Sequence, residues 1–307
     1  MCALPKVNIK KVHSYTGHQD AVYTLESGSS PQYFFSAGGD GQVILWDLEN
    51  FENGRLIAKV SSSIYSLCYI PEIDVLIVGQ NYEGLHLIKI EEKSAAGSLQ
   101  LGKLAIFDIK VHQGLVLVAC ASGEFFIIDL KTLNILKRSV ISDQNLRRIE
   151  ILRDNTCVIA ASDGQLIRVD LKSFNIVDQT MAHDNSVFGL AYHSDQEVLL
   201  TGSRDARLKY WDVKDGEELI ESINAHMYAI NDIDFHPSEK YFATASMDKT
   251  VKVWEYEERR LIKVIDKARH QGHLTSVNRL IWTEHHDYLI SCSDDRSISV
   301  WDIDIVK

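Results

Sequence analysis

Five things are missing from this 307-residue chain, and each absence removes a class of structure or function. No apolar run approaches the roughly 20 residues that a membrane-spanning helix needs, so no transmembrane segment is expected. The opening, MCALPKVNIKK, has no apolar stretch of the kind that directs secretion, and the expected location is the cytoplasm. Basic charge is not in excess: 43 Asp and Glu against 32 Lys and Arg leave a formal net charge of −11. Nonspecific attachment to nucleic acid or to an anionic membrane needs the opposite sign. There is no even set of cysteines either. The five (Cys2, Cys68, Cys120, Cys157, Cys292) are odd in number, and four lie in apolar, strand-like runs. They read as buried free thiols of a reducing compartment, not as a disulfide framework. Finally, no stretch sustains the apolar period of a helix.

What is present is repetition. The segment LISCSDDRSISVWDI (289–303) has the shape of LLTGSRDARLKYWDV (199–213): an apolar run, small residues, an Asp, a polar turn, then Trp-Asp. Aligning such ends gives Trp46, Trp211, Trp254 and Trp301. The interval from 46 to 211 holds three degenerate copies, with Ile88, Ile128 and Val169 at the Trp position. The seven positions are then spaced by 42, 40, 41, 42, 43 and 47 residues, and the units account for the whole chain, 1–307, as one domain. Within a unit the runs are short and rich in Val, Ile, Leu and aromatics. In the fifth they are SVFGLAYH, EVLLTGS, ARLKYWDV and EELIESIN, separated by HSDQ, RD and KDG. Four antiparallel strands per unit, seven times over, predict an all-β, seven-bladed β-propeller of four-stranded blades.

Four units also share a polar constellation. It is His18, Ser36, Asp40 and Trp46 in the first, and His183, Thr201, Asp205 and Trp211 in the fifth. The sixth has His226, Thr244, Asp248 and Trp254, and the seventh His273, Ser291, Asp295 and Trp301. The offsets from each His are 18, 22 and 28 residues. Over its full length the chain therefore resembles the WD40 repeat family. The resemblance implies that these residues form structural hydrogen-bond relays. A hydrolase triad is the rival reading of Ser, His and Asp, but four copies in one chain suit a scaffold. The middle three units keep only Asp163 of this pattern, and they are expected to hold their turns by packing alone and to exchange amide hydrogens faster than the others. The run VNIKKVHSY, directly before Thr16-Gly17-His18, is expected to complete the last blade as its outer strand and so close the ring.

The resemblance also implies a partner-binding face around the central channel, with two residues per blade placed there. The fifth positions after each His are Tyr23, Tyr65, Phe107, Arg147, Phe188, Asn231 and Asn278; units without the His are aligned on Ile64, Ile106 and Leu146. The third positions are Ala21, Ser63, Ala105, Asn145, Ser186, Ala229 and Ser276, all small but for Asn145. Aromatics and Arg are enriched where interfaces draw their energy, so the larger set reads as a peptide-contacting rim or as a plug of the channel mouth. A basic group, Lys267, Arg269, His270 and Arg279 in one loop region with Arg204 and Arg147, suits an acidic or phosphorylated partner, or else is a solvated loop. His270 with His273, and His285 with His286, lack further ligands at metal-binding spacing, so no metal is expected. AGGDGQ (37–42) lacks the Lys-Ser/Thr and helix of a phosphate loop, and no cofactor is expected. The expected function is a non-catalytic scaffold, a monomeric ring that binds a protein or peptide. The alternatives are a propeller enzyme with a channel-mouth site and a binder of acidic or phosphorylated ligands. Nucleic acid and membrane are disfavoured as partners.

Overall fold

A computed structural model describes residues 6–306 apart from Asn53; Cys2 lies outside the described residues. Among the described residues, one four-residue α-helix, Lys267–His270, interrupts what is otherwise β-strands, turns and two short 3-10 segments. The first sheet is a meander of Val22–Ser27, Tyr33–Gly38, Gln42–Asp47 and Arg55–Lys59. Five more meanders follow in chain order. The seventh sheet draws on both ends of the chain. Lys6–Thr16 pairs along Ser297–Val306, which continues to Leu289–Ser293 and Val277–Trp282. The fold is a seven-bladed β-propeller in which the N-terminal strand closes the last blade. Positions 46, 88, 128, 169, 211, 254 and 301 each fall in the third strand of their own sheet.

The sheets gather into two compact units. One comprises the described residues of Met1–Lys59 and Asn231–Lys307, with sheets one, six and seven; the other is Val60–Ile230, with sheets two to five. In the first unit, sheet seven packs on sheet one through Tyr15, Phe34, Ile290 and Val300, and on sheet six through Val253, Trp282 and Trp301. In the second, each sheet packs on the next: Ile77 with Val118, Phe125 with Ile167, and Leu166 with Leu199 mark the three interfaces. A strand covered on both faces needs apolar side chains throughout, not in alternation. The second strands obey this: VLIVGQ (Val75–Gln80), TCVIAA (Thr156–Ala161) and VLLTGS (Val198–Ser203) are buried at every residue. Cys68, Cys120, Cys157 and Cys292 are buried in these layers as free thiols. Every fourth strand carries one extra residue against its third-strand partner. Such a bulge bends a free edge away from further pairing.

The polar constellations lie where loops must be tied to these apolar layers. In sheet seven, Trp301 Nε1–H donates to Ser291 Oγ at 2.8 Å, His273 Nε2 lies 2.8 Å from that oxygen, and His273 Nδ1 lies 3.2 Å from Asp295 Oδ2. The corresponding distances in sheet one are 2.7, 2.7 and 3.0 Å for Trp46, Ser36, His18 and Asp40. In sheet five they are 3.0, 2.7 and 2.8 Å for Trp211, Thr201, His183 and Asp205. In sheet six, Trp254 donates to Thr244 Oγ1 at 3.0 Å, and His226 is buried. An indole N–H is a donor only, so the hydroxyl accepts from Trp and donates its single hydrogen to His Nε2. The imidazole proton is thereby placed on Nδ1, facing the carboxylate. These hydroxyls are committed to Trp and His and the rings are buried, so none of the relay hydroxyls is free to act as a nucleophile. Burial lowers the His18 pKa, with Asp40 opposing. Burial alone raises an Asp40 or Asp295 carboxyl, yet the backbone and histidine hydrogen bonds outweigh it and hold both below the usual range.

The middle sheets replace the relay rather than merely omitting it. Val78, Val118 and Ile159, at the hydroxyl positions, are all 0% exposed. Packing is not their only support, which corrects the expectation from the sequence. Asn81 Nδ2 donates to Ser63 Oγ at 2.9 Å while its Oδ1 accepts Ile106 N–H at 2.8 Å, joining sheets two and three. Ser142 Oγ–H donates to Asp163 Oδ2 at 2.8 Å, and Asp163 Oδ1 accepts Gln165 N–H at 3.0 Å. Short amide and hydroxyl side chains do here what the buried imidazole does elsewhere.

Candidate partner-binding site

Pairing between the first and second strands skips one residue in sheets one to five and in sheet seven. The skipped residues are Tyr23, Tyr65, Phe107, Arg147, Phe188 and Asn278. A bulge leaves its extra residue out of the ladder and re-aims the side chain. In the second unit each skipped residue is half-buried between two fully buried neighbours, as Phe107 is between Ile106 and Asp108. The third-position residues fix the turns beside them. The carbonyls of Ala105, Asn145 and Ser186 accept the backbone N–H of Ala121, Ser162 and Arg204 at 2.9, 2.8 and 2.8 Å. Ser162 and Arg204 are therefore held at the end of the sheets where the bulges lie.

Across sheets two to five the four bulge side chains form a continuous run. The Tyr65 and Phe107 rings are stacked, with centroids 5.6 Å apart and planes at 17°. The Arg147 guanidinium carbon lies 4.3 Å from the Phe107 ring centroid and 5.4 Å from that of Phe188. Its Nε–H donates to Ser162 Oγ at 2.7 Å. Its two terminal amino groups find no acceptor among the described residues. Burial lowers the Arg147 pKa, Tyr65 opposes this, and the nearby charge of Arg204 adds to it. A guanidinium stays protonated regardless. The result is a cation set over two aromatic rings, with its terminal amino groups open among the described residues. Each cation–π contact contributes about 0.5–2 kcal/mol, depending on desolvation. Arg204 is exposed beside it.

The first unit is built differently. Asn231 Nδ2 donates to Ser276 Oγ and Val277 O at 2.9 and 2.8 Å, tying sheet six to sheet seven. Asn278 Nδ2 donates to Val22 O and Asp294 Oδ1 at 2.9 and 2.8 Å, tying sheet seven to sheet one. Tyr23 is half-buried. The loop-region basic group does not stay together. Lys267 and Arg269 lie on the short helix, which packs beside the fourth strand Lys6–Thr16, where Lys11 Nζ donates to Gln271 O at 2.9 Å. Arg269 is paired through Nε and Nη2 with Asp266 Oδ2 at 2.8 and 2.6 Å. Arg279 lies on Val277–Trp282, at the other edge of the same sheet and three strand spacings away, where it faces Asp232 at 3.8 Å. Neighbouring strands are about 4.8 Å apart, so about 14 Å of sheet separates the two edges.

The residue after each bulge is a feature that the sequence reading missed. Asp108 is 1% exposed; its Oδ2 accepts Ile149 N–H at 2.8 Å, and Arg148 Nη1 lies 3.9 Å from Oδ1. Asp232, at 0% exposure, accepts Leu280 N–H at 2.8 Å and faces Arg279. Both pairs link one first strand to the next. Their signal is visible in hindsight as an Asp and an Arg at the same position in successive units. Among the described residues no group of three or more His, Cys, Asp or Glu is arranged to hold a metal ion.

Comparison with known proteins agrees with this geometry. A family profile described as "WD domain, G-beta repeat" matches residues 9–47, 175–212, 217–255 and 266–302. Each match ends at the Trp-Asp or Trp-Glu of a third strand, in the four sheets that carry a relay. The chain is 22% identical over 217 residues to the WD repeat-containing protein SL1-17 of Schistosoma mansoni, covering 70% of this chain and 58% of that protein. It thus spans less than two thirds of that relative's length. Among solved structures, the WD40 beta propeller domain of Doa1 superposes with a TM-score of 0.83 at 16% identity, covering 96% of this chain and 97% of that one, a likeness of fold alone. WD40 propellers commonly serve as protein-interaction scaffolds and are generally not catalysts. No described helix is long and apolar enough to cross a membrane. With four matched repeats, seven four-stranded blades and a WD40 propeller as structural neighbour, the chain belongs to the WD40 repeat family.

Proposed function

We propose that this protein is a non-catalytic interaction platform that seats a protein or peptide segment on Tyr65, Phe107, Arg147 and Phe188, with Arg204 alongside. The supporting observation is the Arg147 guanidinium, set over the Phe107 and Phe188 rings, its terminal amino groups without acceptors among the described residues. A channel plug has no use for open donor edges, whereas a carboxylate or phosphate accepts them in the plane of the guanidinium. The segment therefore carries an acidic or phosphorylated side chain flanked by apolar ones. Taken by itself, the first unit offers Tyr23 and, separately, Lys267 beside the Asp266-paired Arg269 as further contacts; Asn231 and Asn278 serve as ties between sheets. The reading includes a cytoplasmic location, which fractionation of the host tests.

Affinity capture from the host, repeated with Phe107→Ala plus Phe188→Ala and with Arg204→Glu, tests the site. A partner retained by the unaltered protein is expected to be lost from the first variant and weakened in the second, with binding that declines as salt rises. Retention of every partner by both folded variants contradicts the proposal.

A further inference from the structure

The outer edge of sheets four and five carries an acidic cleft. The turn that leads into Glu218–Asn224, the fourth strand of sheet five, lies against Asn175–Met181, the fourth strand of sheet four. Together they line an open cleft of about 390 Å³. Its walls are acidic: Asp178, Asp212, Asp215, Glu217 and Glu218, against a single Lys214. Lys214 Nζ stands 3.8 Å from Asp212 Oδ2. Arg168 approaches from behind, already bound through Nη2 to Asp154 at 2.7 Å and through Nε to Thr156 Oγ1 at 3.0 Å. Five carboxylates thus line the cleft against one lysine, the nearby Arg168 being already paired with Asp154.

An acidic cluster alone is an ordinary solvated surface. Glu217 makes this one different. Its side chain is 1% exposed, yet neither carboxylate oxygen has a hydrogen-bond donor in place among the described residues: the contact closest in effect is with another carboxyl, Asp178, and Arg168 Nη1 stands 3.8 Å away. An ionised carboxylate has sites for about four donors, and a buried one left without them is strongly disfavoured. Burial, and next the neighbouring Asp178 carboxyl, push the Glu217 pKa up to about 7, with Arg168 opposing. Gly216, at φ 130°, sets the turn in a conformation that side chains with a Cβ rarely adopt. Two relieving events are open to the site: uptake of a proton, or entry of an N–H donor from outside.

The borders indicate the donor. On one side Ile176 and Val177 are 42% and 55% exposed; on the other Leu219 and Ile220 are 47% and 39% exposed. Val177 and Ile220 are the extra residues of their strands, so the bulges turn adjacent apolar side chains outward together. Apolar margins around an acidic pocket complement a cationic side chain with apolar neighbours. We propose that this pocket binds an arginine side chain, presented by a partner segment with apolar residues beside it. Arginine suits it better than lysine, because a planar fork of donors matches two carboxylate oxygens and sheds its hydration more readily. The site is distinct from the Arg147 run and does not depend on it.

The capped peptide Ac-Val-Arg-Val-NH2, titrated into the ¹⁵N-labelled full chain, tests this. The neutral citrulline analogue serves as comparison. Saturable amide shifts confined to residues 175–181 and 212–220 are expected with the arginine peptide, and binding at least about tenfold weaker with citrulline. Glu217→Gln and Asp178→Asn weaken it, Glu217→Gln by about tenfold, while Phe107→Ala plus Phe188→Ala leaves it unchanged. Glu217 must be ionised to bind, so affinity rises by up to about tenfold from pH 6 to pH 8. Equal binding of citrulline, undiminished affinity of Glu217→Gln, or absence of shifts at 175–181 and 212–220 overturns the proposal. The two-peptide comparison decides even if a variant does not fold.

Discussion

Replacing Ser291 by Ala deletes one oxygen and orphans two buried groups. Ser291 Oγ accepts from Trp301 Nε1 and faces His273 Nε2, both at 2.8 Å. Ser291 and Trp301 are 0% exposed and His273 is 3% exposed, so water does not reach the vacated partners. Leaving a buried polar group unsatisfied costs about 1–3 kcal/mol. Two such groups, partly relieved by local relaxation, give an expected loss of about 2–4 kcal/mol. Ser299 supplies the control. It lies directly across the ladder from Ser291 and is 0% exposed, but its hydroxyl has no partner among the described residues. Ser299→Ala removes the same atoms from the same layer without orphaning anything, so its effect should fall within about 0.5 kcal/mol or be stabilising. Urea unfolding measures both, as a change of midpoint at constant slope. In a cycle with Trp301→Phe the Ser291→Ala loss should shrink, because the indole donor is already gone. Equal destabilisation by the two serine substitutions, or strict additivity with Trp301→Phe, refutes the relay as a source of stability.

Asn81→Ala should cost about 2–4 kcal/mol by the same urea measurement, since it uncouples Ser63 from Ile106 N–H at a site 1% exposed. Acid should act in two stages. The His18 pKa is lowered on folding, so its contribution is present above about pH 6.5 and declines as pH falls below that value. The Asp40, Asp205 and Asp295 pKa values are also lowered, so their contributions persist to about pH 4 and are lost beneath it. Denaturation midpoints against pH check this, and Asp295→Asn should flatten the lower stage. Deleting residues 1–12 should expose the edge of Ser297–Val306 and abolish the Lys11 bond to Gln271. Its expected signature is a lower melting temperature, and an unchanged cooperative melt counts against it.

The relays were legible because Trp, His and Asp are scarce and their offsets are rigid: a strand ladder preserves spacing from unit to unit. The bulges were not. Nothing local separates Phe107 from its neighbours, and its placement came from family resemblance, while the ladder itself shows the skipped residue. The short helix escaped notice because its support is a single local cap, Asp266 accepting Arg269 N–H at 2.8 Å, with no apolar period. That cap also neutralises Arg269, which a count of basic residues cannot anticipate. Asp178 and Glu217 are far apart in sequence and meet only through the packing of sheet four on sheet five. Asn81 was invisible for a related reason: an amide that bridges two sheets has no fixed offset to its partners.

The most direct measurement places the photoreactive residue p-benzoyl-phenylalanine at position 107 or 188, and at Leu136 on a fourth strand, in the full chain in its host. The account predicts crosslinks to one partner from 107 and 188, their loss on Arg147→Ala, and none to that partner from 136. Crosslinking to that partner from 136 but not from 107 or 188, or crosslinks indifferent to Arg147, would contradict it.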